Sequence, residues 1–473
     1  MRAIRPTAML PTLLLSAVLV AVPPTQGAPA EPDARADSGW AKLNTKTVTN
    51  IAQTDMLRTP DGVLHVVYPQ EVGVNDEYEH TTVSTTGAVL GHSTAVANWG
   101  ALTNDPVLLP TPAGGLQIVF GGLQDVDVTN PYSAGHLYRA VSDASGASWG
   151  VQAEALVKSG YGYASYGTGA TLLPDGTSIQ GYPLNSEFTF RVGTTPLPVS
   201  DATPPDQGFG LTGSSLLHAT LVQQGGNVWA AWYDQGDNNG VFVRQIYPSL
   251  GVVYKAPGQS ADTLNPGQAI PMVVRPDGSI VLAYCLGYPT CSSVGVWQVG
   301  TTTVHKVPGS KESHAITMDT GPTGRLWVAW ANDDEILATR SSTTGFTFGA
   351  LRQAGSPNKD YVYGLQVEAS RGEASVVAND ALGIYHRQLQ PGLALKANPK
   401  SWDGDKKKKV TFVVTDASSP IAGVKVKGGG EKCTTNAQGK CSVTYAPQKP
   451  HTIKVNASLT GFSDAVTKLK VKP

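Results

Sequence analysis

Acidic, amide and aromatic residues recur along this 473-residue chain at two kinds of position. Some stand just before short apolar segments: Asp55, Asp105, Tyr163, Tyr166, His218, His314, Tyr361 and Tyr363. Others stand just after them, as in Tyr233-Asp234, Asn332-Asp333 and Asn379-Asp380. Carboxylates and amides exchange hydrogen bonds with hydroxyl groups, and tyrosine and histidine rings stack on flat faces. If the fold gathers these residues on one face, they form a candidate surface for sugar-like ligands. The competing reading is turn chemistry, because Asp and Asn side chains bond their own backbone in turns.

Several other chemistries lack their signatures. No Gly-x-Ser-x-Gly elbow, His-Glu-x-x-His pair or phosphate-cradling Gly-rich loop occurs. The segment from Asp234 to Gly240 is rich in oxygen donors but lacks EF-hand spacing. No cofactor or metal is therefore expected, with calcium the one alternative this segment leaves open. Four cysteines fall into two local pairs, Cys285 with Cys291 and Cys433 with Cys441. Neither pair has a histidine at zinc-ligand spacing, so both read as small-loop disulfides of an oxidising compartment.

The elements that must position these residues come from a repeat. A Gly-containing turn separates two apolar segments seven times: at Gly62, Gly114, Gly176, Gly226, Gly278, Gly324 and Gly372. The run after each turn is rich in β-branched and aromatic residues, as in LHVVY, LQIVF, VWAAWY, IVLAY and LWVAW. A further strand ends its apolar stretch on a basic residue: Arg139, Arg191, Arg244, Arg340 and Arg387. Each unit of about 50 residues can hold a four-stranded antiparallel sheet, and stacked units of this kind form a β-propeller. The expected fold is all-β, a seven-bladed propeller over 39–392, or six-bladed if the third unit is an insertion. Residues Trp40 to Thr49 would complete the last blade and close the ring. The tryptophans Trp229, Trp232, Trp327 and Trp330 read as packing between blades.

Two segments resemble the Asp-box turns of sialidase-like propellers: Ser142-Asp143-Ala144-Ser145-Gly146-Ala147-Ser148-Trp149 and Ser341-Ser342-Thr343-Thr344-Gly345-Phe346-Thr347-Phe348. Both lack the Asp at its usual place, where Ala144 and Thr343 stand. The resemblance implies a propeller with braced hairpins, and says little about activity. Sialidases also carry a Phe/Tyr-Arg-Ile-Pro motif near their start, which the first repeat lacks. Residues 394–473 resemble bacterial Ig-like domains of the invasin type, through Val414, Asp416, Pro420, Gly423 and Val426, then Thr435, Gly439 and Val443. That implies a small β-sandwich in which the Cys433–Cys441 bridge staples a hairpin.

Residues 1–30 read as a signal peptide, with Arg2 and Arg5, an apolar run from Met9 to Val22, and Ala28-Pro29-Ala30 as a cleavage site. The net charge of −1 hides two opposite regions. Residues 31–393 hold 18 Lys and Arg against 31 Asp and Glu, whereas residues 394–473 hold 15 Lys against 5 Asp and Glu. A lysine-rich tail without arginine suits diffuse attraction to an anionic polymer or cell envelope better than bidentate phosphate recognition. Its scarcity of aromatics argues against nucleic acid.

These features favour a secreted, extracellular, lectin-like protein that binds a glycan or polysaccharide through the propeller. The basic domain would associate with an envelope polymer, and no membrane-spanning segment is expected. Binding is favoured over catalysis. An extracellular glycoside hydrolase or lyase is the first alternative, and a protein-binding subunit of a secreted assembly the second.

Overall fold

Every turn glycine of the repeat adopts a left-handed backbone conformation, with φ between 76° at Gly324 and 95° at Gly372. Side chains with a Cβ rarely occupy this region, so glycine fits these tight turns. The glycine N–H closes each of the turns at 59–62, 111–114, 173–176, 275–278, 321–324 and 369–372 onto the carbonyl three residues earlier. Two antiparallel strands leave each turn, and the computed structural model is built from the resulting hairpins. It describes residues 39–48, 53–73, 75–102, 106–124, 136–152, 156, 168–184, 187–195, 207–208, 216–234, 239–258, 269–287, 291–332, 335–343 and 345–473. The signal-peptide reading of 1–30 lies outside them.

Among the described residues there is no helix, and seven antiparallel sheets precede Leu393. Each begins with a short inner strand: Asp55–Arg58, Val107–Pro110, Gly169–Leu172, Leu216–Gln224, Met272–Val274, Ala315–Thr320 and Val362–Glu368. The third repeat forms a sheet of its own, Gly169–Leu172 with Ser178–Leu184, Glu187–Val192 and Gln207–Gly208. The seventh sheet takes its outer strand from the other end of the described chain. Ala41 pairs with His386 and Lys42 with Tyr385.

The core lies between successive sheets. One apolar cluster joins the first and second sheets around Tyr78, Phe120 and Trp99. Others join the second to the third, the third to the fourth, and the fourth through the fifth to the sixth. The sixth and seventh share Trp327 and Leu365, and the seventh meets the first around Val377 and Val66. The sheets thus follow one another in a closed circuit, an all-β arrangement consistent with a β-propeller.

Polar side chains tie neighbouring inner strands together. Asp55 Oδ2 accepts from Leu108 N at 2.6 Å, linking the first sheet to the second. Thr220 Oγ1 donates to Ile270 O, linking the fourth to the fifth. Asp319 Oδ2 accepts from Ala369 N at 2.7 Å, linking the sixth to the seventh. Between the seventh and first sheets, Arg58 Nε meets Glu368 Oε2 at 2.6 Å, with both side chains nearly buried. Arg58 also donates to Ser375 Oγ and Gly62 O. Breaking one side of such a pair leaves a buried charge unmatched, which is costly.

The third-strand arginines do not share one role. Arg139 donates to Gln117 Oε1 and Arg244 to Gly251 O, within their own sheets, whereas Arg340 reaches Gly372 O of the next. The expected packing tryptophans Trp232, Trp327 and Trp330 are fully buried, and Trp327 Nε1 donates to Gly372 O. The two turns expected to brace hairpins share one device. Ser142 Oγ accepts from Leu116 N and Ser341 Oγ from Leu326 N, each at the start of its sheet's second strand. Where the usual Asp is replaced by Ala144, the neighbouring Asp143 Oδ1 accepts from Ser145 N and Ala147 N instead.

Residues beyond Leu393 form two further sheets around a separate core that includes Trp402, Phe412, Val455 and Leu469. Ala394–Asn398, Lys408–Asp416 and Lys440–Tyr445 belong to one sheet. The other runs Ser401–Asp403, Ala465–Lys472, His451–Ser458, Lys425–Gly428, Glu431–Thr434. Both disulfides are formed. The Cys433–Cys441 bridge, expected to staple one hairpin, instead joins strands of the two different sheets.

This region also packs on the sixth sheet. Asp416, 1% exposed, lies 3.3 Å from Arg325 and pairs with Arg340. The Arg340 guanidinium stands over Phe462 at 5.7 Å. The buried aspartate with two arginines joins this region to the sixth sheet. No helix among the described residues is long and apolar enough to cross a membrane.

Candidate functional site

The inner strands enclose a cavity of about 180 Å³ on the axis of the circuit. All seven sheets contribute to its wall, including Asp55, Val107, Gly169, Thr220, Met272, Thr317 and Gln366. Four threonines and the small residues Gly169, Ala170, Ala219 and Ala269 stand in the wall beside larger apolar side chains such as Leu221, Met272 and Leu365. Gln53 also lines it, and its amide nitrogen is buried without a hydrogen-bond partner among the described residues. Asp55 stands in the wall with both oxygens engaged, by Leu108 N and Met56 N. Burial pushes its carboxyl up to about 7, against the pull of those two N–H donors.

An aromatic group sits where the sixth and seventh sheets adjoin. His314 and Tyr361 stack with ring centres 4.3 Å apart and planes 8° apart. Tyr363 meets Tyr361 edge-on at 5.2 Å. The backbone explains this placement: His314 N donates to Ala331 O, and His314 Nε2 lies 3.2 Å from Val362 O. The two tyrosines straddle Val362, where the register of the inner strand shifts between Val362 and Gly364. Tyr361 is 37% exposed, so one ring of the stack faces solvent. Asn332, at the end of the second strand, contributes an Oδ1 that is buried without a hydrogen-bond partner among the described residues. An exposed ring backed by a second ring can receive the flat face of a ligand, with polar groups beside it to fix orientation.

Three of the sequence-predicted residues therefore come together: His314, Tyr361 and Tyr363. Asp380 is close by, but its carboxylate is occupied. It is fully buried, and Oδ1 accepts from Leu382 N and Gly383 N while Oδ2 accepts from Asn358 Nδ2. These are the hydrogen bonds of turn chemistry. Asp234 is also fully buried, paired in the sheet with Leu216 and Gly240. Asp105, Tyr163, Tyr166 and Asp333 lie outside the described residues, as does the side chain of His218.

The structure also reveals a polar cluster that sequence reading missed. In the first sheet, Gln70 Nε2 donates to Glu77 Oε1 at 2.6 Å and to Glu79 Oε2 at 3.1 Å. Glu77 is 5% exposed and Glu79 6%. Lys46 pairs with Glu77 from outside the sheet, and Tyr68, Thr81 and His92 form a hydrogen-bonded chain beside it, with His92 Nδ1 3.9 Å from Glu79 Oε1. Burial, and next the Glu77 charge, holds the Glu79 carboxyl above its usual range. On the opposite face of the sheet His65 and His80 stack, with Nδ1 and Nε2 2.8 Å apart. Burial pushes His80 down to about 4, helped by His65. His80 Nδ1 bonds Ser93 Oγ, which donates to Gly146 O in the second sheet. The signal for this cluster was present in Asn75–Val83, NDEYEHTTV, the most polar of the third strands.

A glycosidase needs two carboxylates flanking the scissile bond, and Gln70 brings Glu77 and Glu79 to one amide. Here, however, both are buried, Lys46 covers one, and neither lines the axial cavity. Among the described residues no group of three or more His, Cys, Asp or Glu could hold a metal ion.

No family model matches the chain, and no curated protein matches it. Solved structures do. An α-L-arabinanase from Penicillium chrysogenum, complexed with arabinobiose, is 10% identical with a TM-score of 0.45, covering 76% of this chain and 98% of its own. The polysaccharide lyase Uly1 is 8% identical with a TM-score of 0.45, covering 71% and 89%. A lectin from Aleuria aurantia, in complex with α-methyl-L-fucoside, is 12% identical with a TM-score of 0.39, covering 73% and 92%. These proteins differ in activity, so the function of this chain has to be argued from its own site.

Proposed function

We propose that this is a secreted carbohydrate-binding protein, with a seven-bladed propeller as its recognition head. The Ig-like domain would be its basic, polymer-associating tail. The observation that carries the reading is the exposed Tyr361 ring stacked on His314, with Tyr363 edge-on beside it. A sugar ring would lie on Tyr361 through its apolar face, and its hydroxyls would meet Asn332 and neighbouring polar groups. The closed circuit of sheets supports the blade count, the two-sheet sandwich supports the Ig-like assignment, and the two disulfides suit an extracellular protein.

A glycan array with the mature protein tests this reading. Binding to a defined set of glycans, lost in Tyr361→Ala, supports it. Absence of binding at high micromolar concentration counts against it.

The second reading is an extracellular glycoside hydrolase or lyase, for which the buried pair Glu77 and Glu79 would have to become accessible to substrate. It predicts release of reducing sugar from a polysaccharide panel, abolished in Glu79→Gln.

A further inference from the structure

The basic character of the tail is concentrated on one surface. In the strand Ala465–Lys472 the side chains of Leu469 and Val471 are buried, so Lys468, Lys470 and Lys472 point the other way. The adjoining strand His451–Ser458 buries Ile453, Val455 and Ala457 and turns Lys454 outward. Lys425 and Lys427 flank buried Val426, and Lys432 is paired opposite Lys427. All seven lysines are exposed and lie on the same outward face of one sheet. Two carboxylates stand at its margins. Asp403 pairs in register with Lys472, and Asp464 bonds Asn456 Nδ2.

This arrangement carries a repulsive cost. Lys427 stands directly opposite Lys432, and Lys454 opposite Lys468. Like charges directly opposite across a sheet are destabilising. Among the described residues none of the seven lysines forms an ion pair. The outward face of the other tail sheet is different. There Lys396, Lys409 and Lys440 are interspersed with Thr411, Ser442 and Thr444, and Thr411 and Ser442 bond each other.

We infer that the seven-lysine sheet face is a docking surface for a linear acidic polysaccharide. Alternate residues of a strand repeat every ~6.8 Å, with neighbouring strands ~4.8 Å apart. The face is therefore a grid of single positive charges, matched by an extended chain bearing regularly spaced anions. It has no aromatic ring for stacking bases and no arginine for bidentate phosphate contacts, which disfavours nucleic acid. Its one large exposed apolar residue is Val466, too little to insert into a lipid surface. The inference deepens the tail's part in the proposed function and is independent of the aromatic site on the propeller.

The test is titration calorimetry of the full mature chain against polygalacturonate and against the same polymer fully methyl-esterified. The wild type should bind the acid form, more weakly as salt rises, and not the neutral ester. Reversing Lys427, Lys454, Lys468 and Lys470 to Glu should lower affinity at least about tenfold, because long-range attraction scales with the charge on the face. The Lys→Gln version of the same four sites, with unchanged thermal midpoint, should weaken binding in the same direction. Reversing Lys396, Lys409 and Lys440 on the other sheet should cost less than about threefold.

Equal losses from the two sheets, or equal binding of the ester, would overturn the inference. So would tighter binding to phosphatidylglycerol vesicles or to poly(dT) than to polygalacturonate, which would reassign the occupant. If the wild type binds no polyanion, the polymer-associating role of the tail fails altogether. If it binds but the face variants bind equally well, only this face is excluded.

Discussion

The first and fifth sheets occupy the same kind of place in the circuit and are filled by opposite means. In the fifth, Ile280–Leu286 is buried along its whole length by apolar side chains, and Val294, Val296 and Trp297 pack beside it. In the first, the corresponding strands bury His65, Gln70, Glu77, Glu79, His80 and Thr81. Both interiors exclude water. Apolar packing is non-directional and insensitive to pH, whereas a buried polar network holds only while every member keeps its partner and its charge state. The first sheet should therefore be the region of the ring most sensitive to pH, and the fifth the least.

The largest effects should come from removing whole interactions. Glu368→Ala strands Arg58 where the first sheet meets the seventh, and should cost about 3–5 kcal/mol by urea denaturation. In the fifth sheet, Leu282→Ala should cost about 3 kcal/mol, by the same amount at pH 5 and pH 8. A strong pH dependence of the Leu282→Ala cost would break the contrast.

Titration sharpens it. The folded pKa of His80 is depressed to about 4, so its contribution is present above its ordinary value of 6.5 and lost as pH falls through about 4. His80→Asn should flatten that acid limb of the urea midpoint. Asp55 acts with the opposite sign: its folded pKa is raised to about 7, so stability is fully present below 3.8 and lost as pH rises through about 7. Asp55→Asn should remove part of that alkaline decline. The smallest effect should be Ser93→Ala, which removes the link from His80 to Gly146 and should cost about 1 kcal/mol.

The repeat was legible because its punctuation is local. A glycine such as Gly278 is required by its own turn, whatever the rest of the chain does. The Ala41–Lys42 strand was legible for a different reason, since a ring with an incomplete last sheet leaves an edge to be filled. The interior of the first sheet was not legible. Glu77 and Glu79 alternate along a strand in the pattern of a solvent-facing side, and Gln70, Lys46, His92 and Thr94 from other segments make burial tolerable.

The site shows the same division. The sequence placed Tyr361 and Tyr363 at the entry to an inner strand, and they lie at the start of Val362–Glu368, whereas the hydrogen bonds of Asp380 depend on the turn it closes and on Asn358. The pairing of Asp416 with Arg325 and Arg340 joins residues 76 or more positions apart, beyond the reach of any local pattern.

The central claim is that the His314–Tyr361–Tyr363 group receives a sugar. Its most direct test is titration of the glycan selected on the array into wild-type protein and into Tyr361→Ala, with far-UV circular dichroism confirming the fold of both. Loss of an exposed stacking ring should weaken binding at least about tenfold, consistent with the energy of an aromatic contact. Unchanged affinity in Tyr361→Ala would contradict the account.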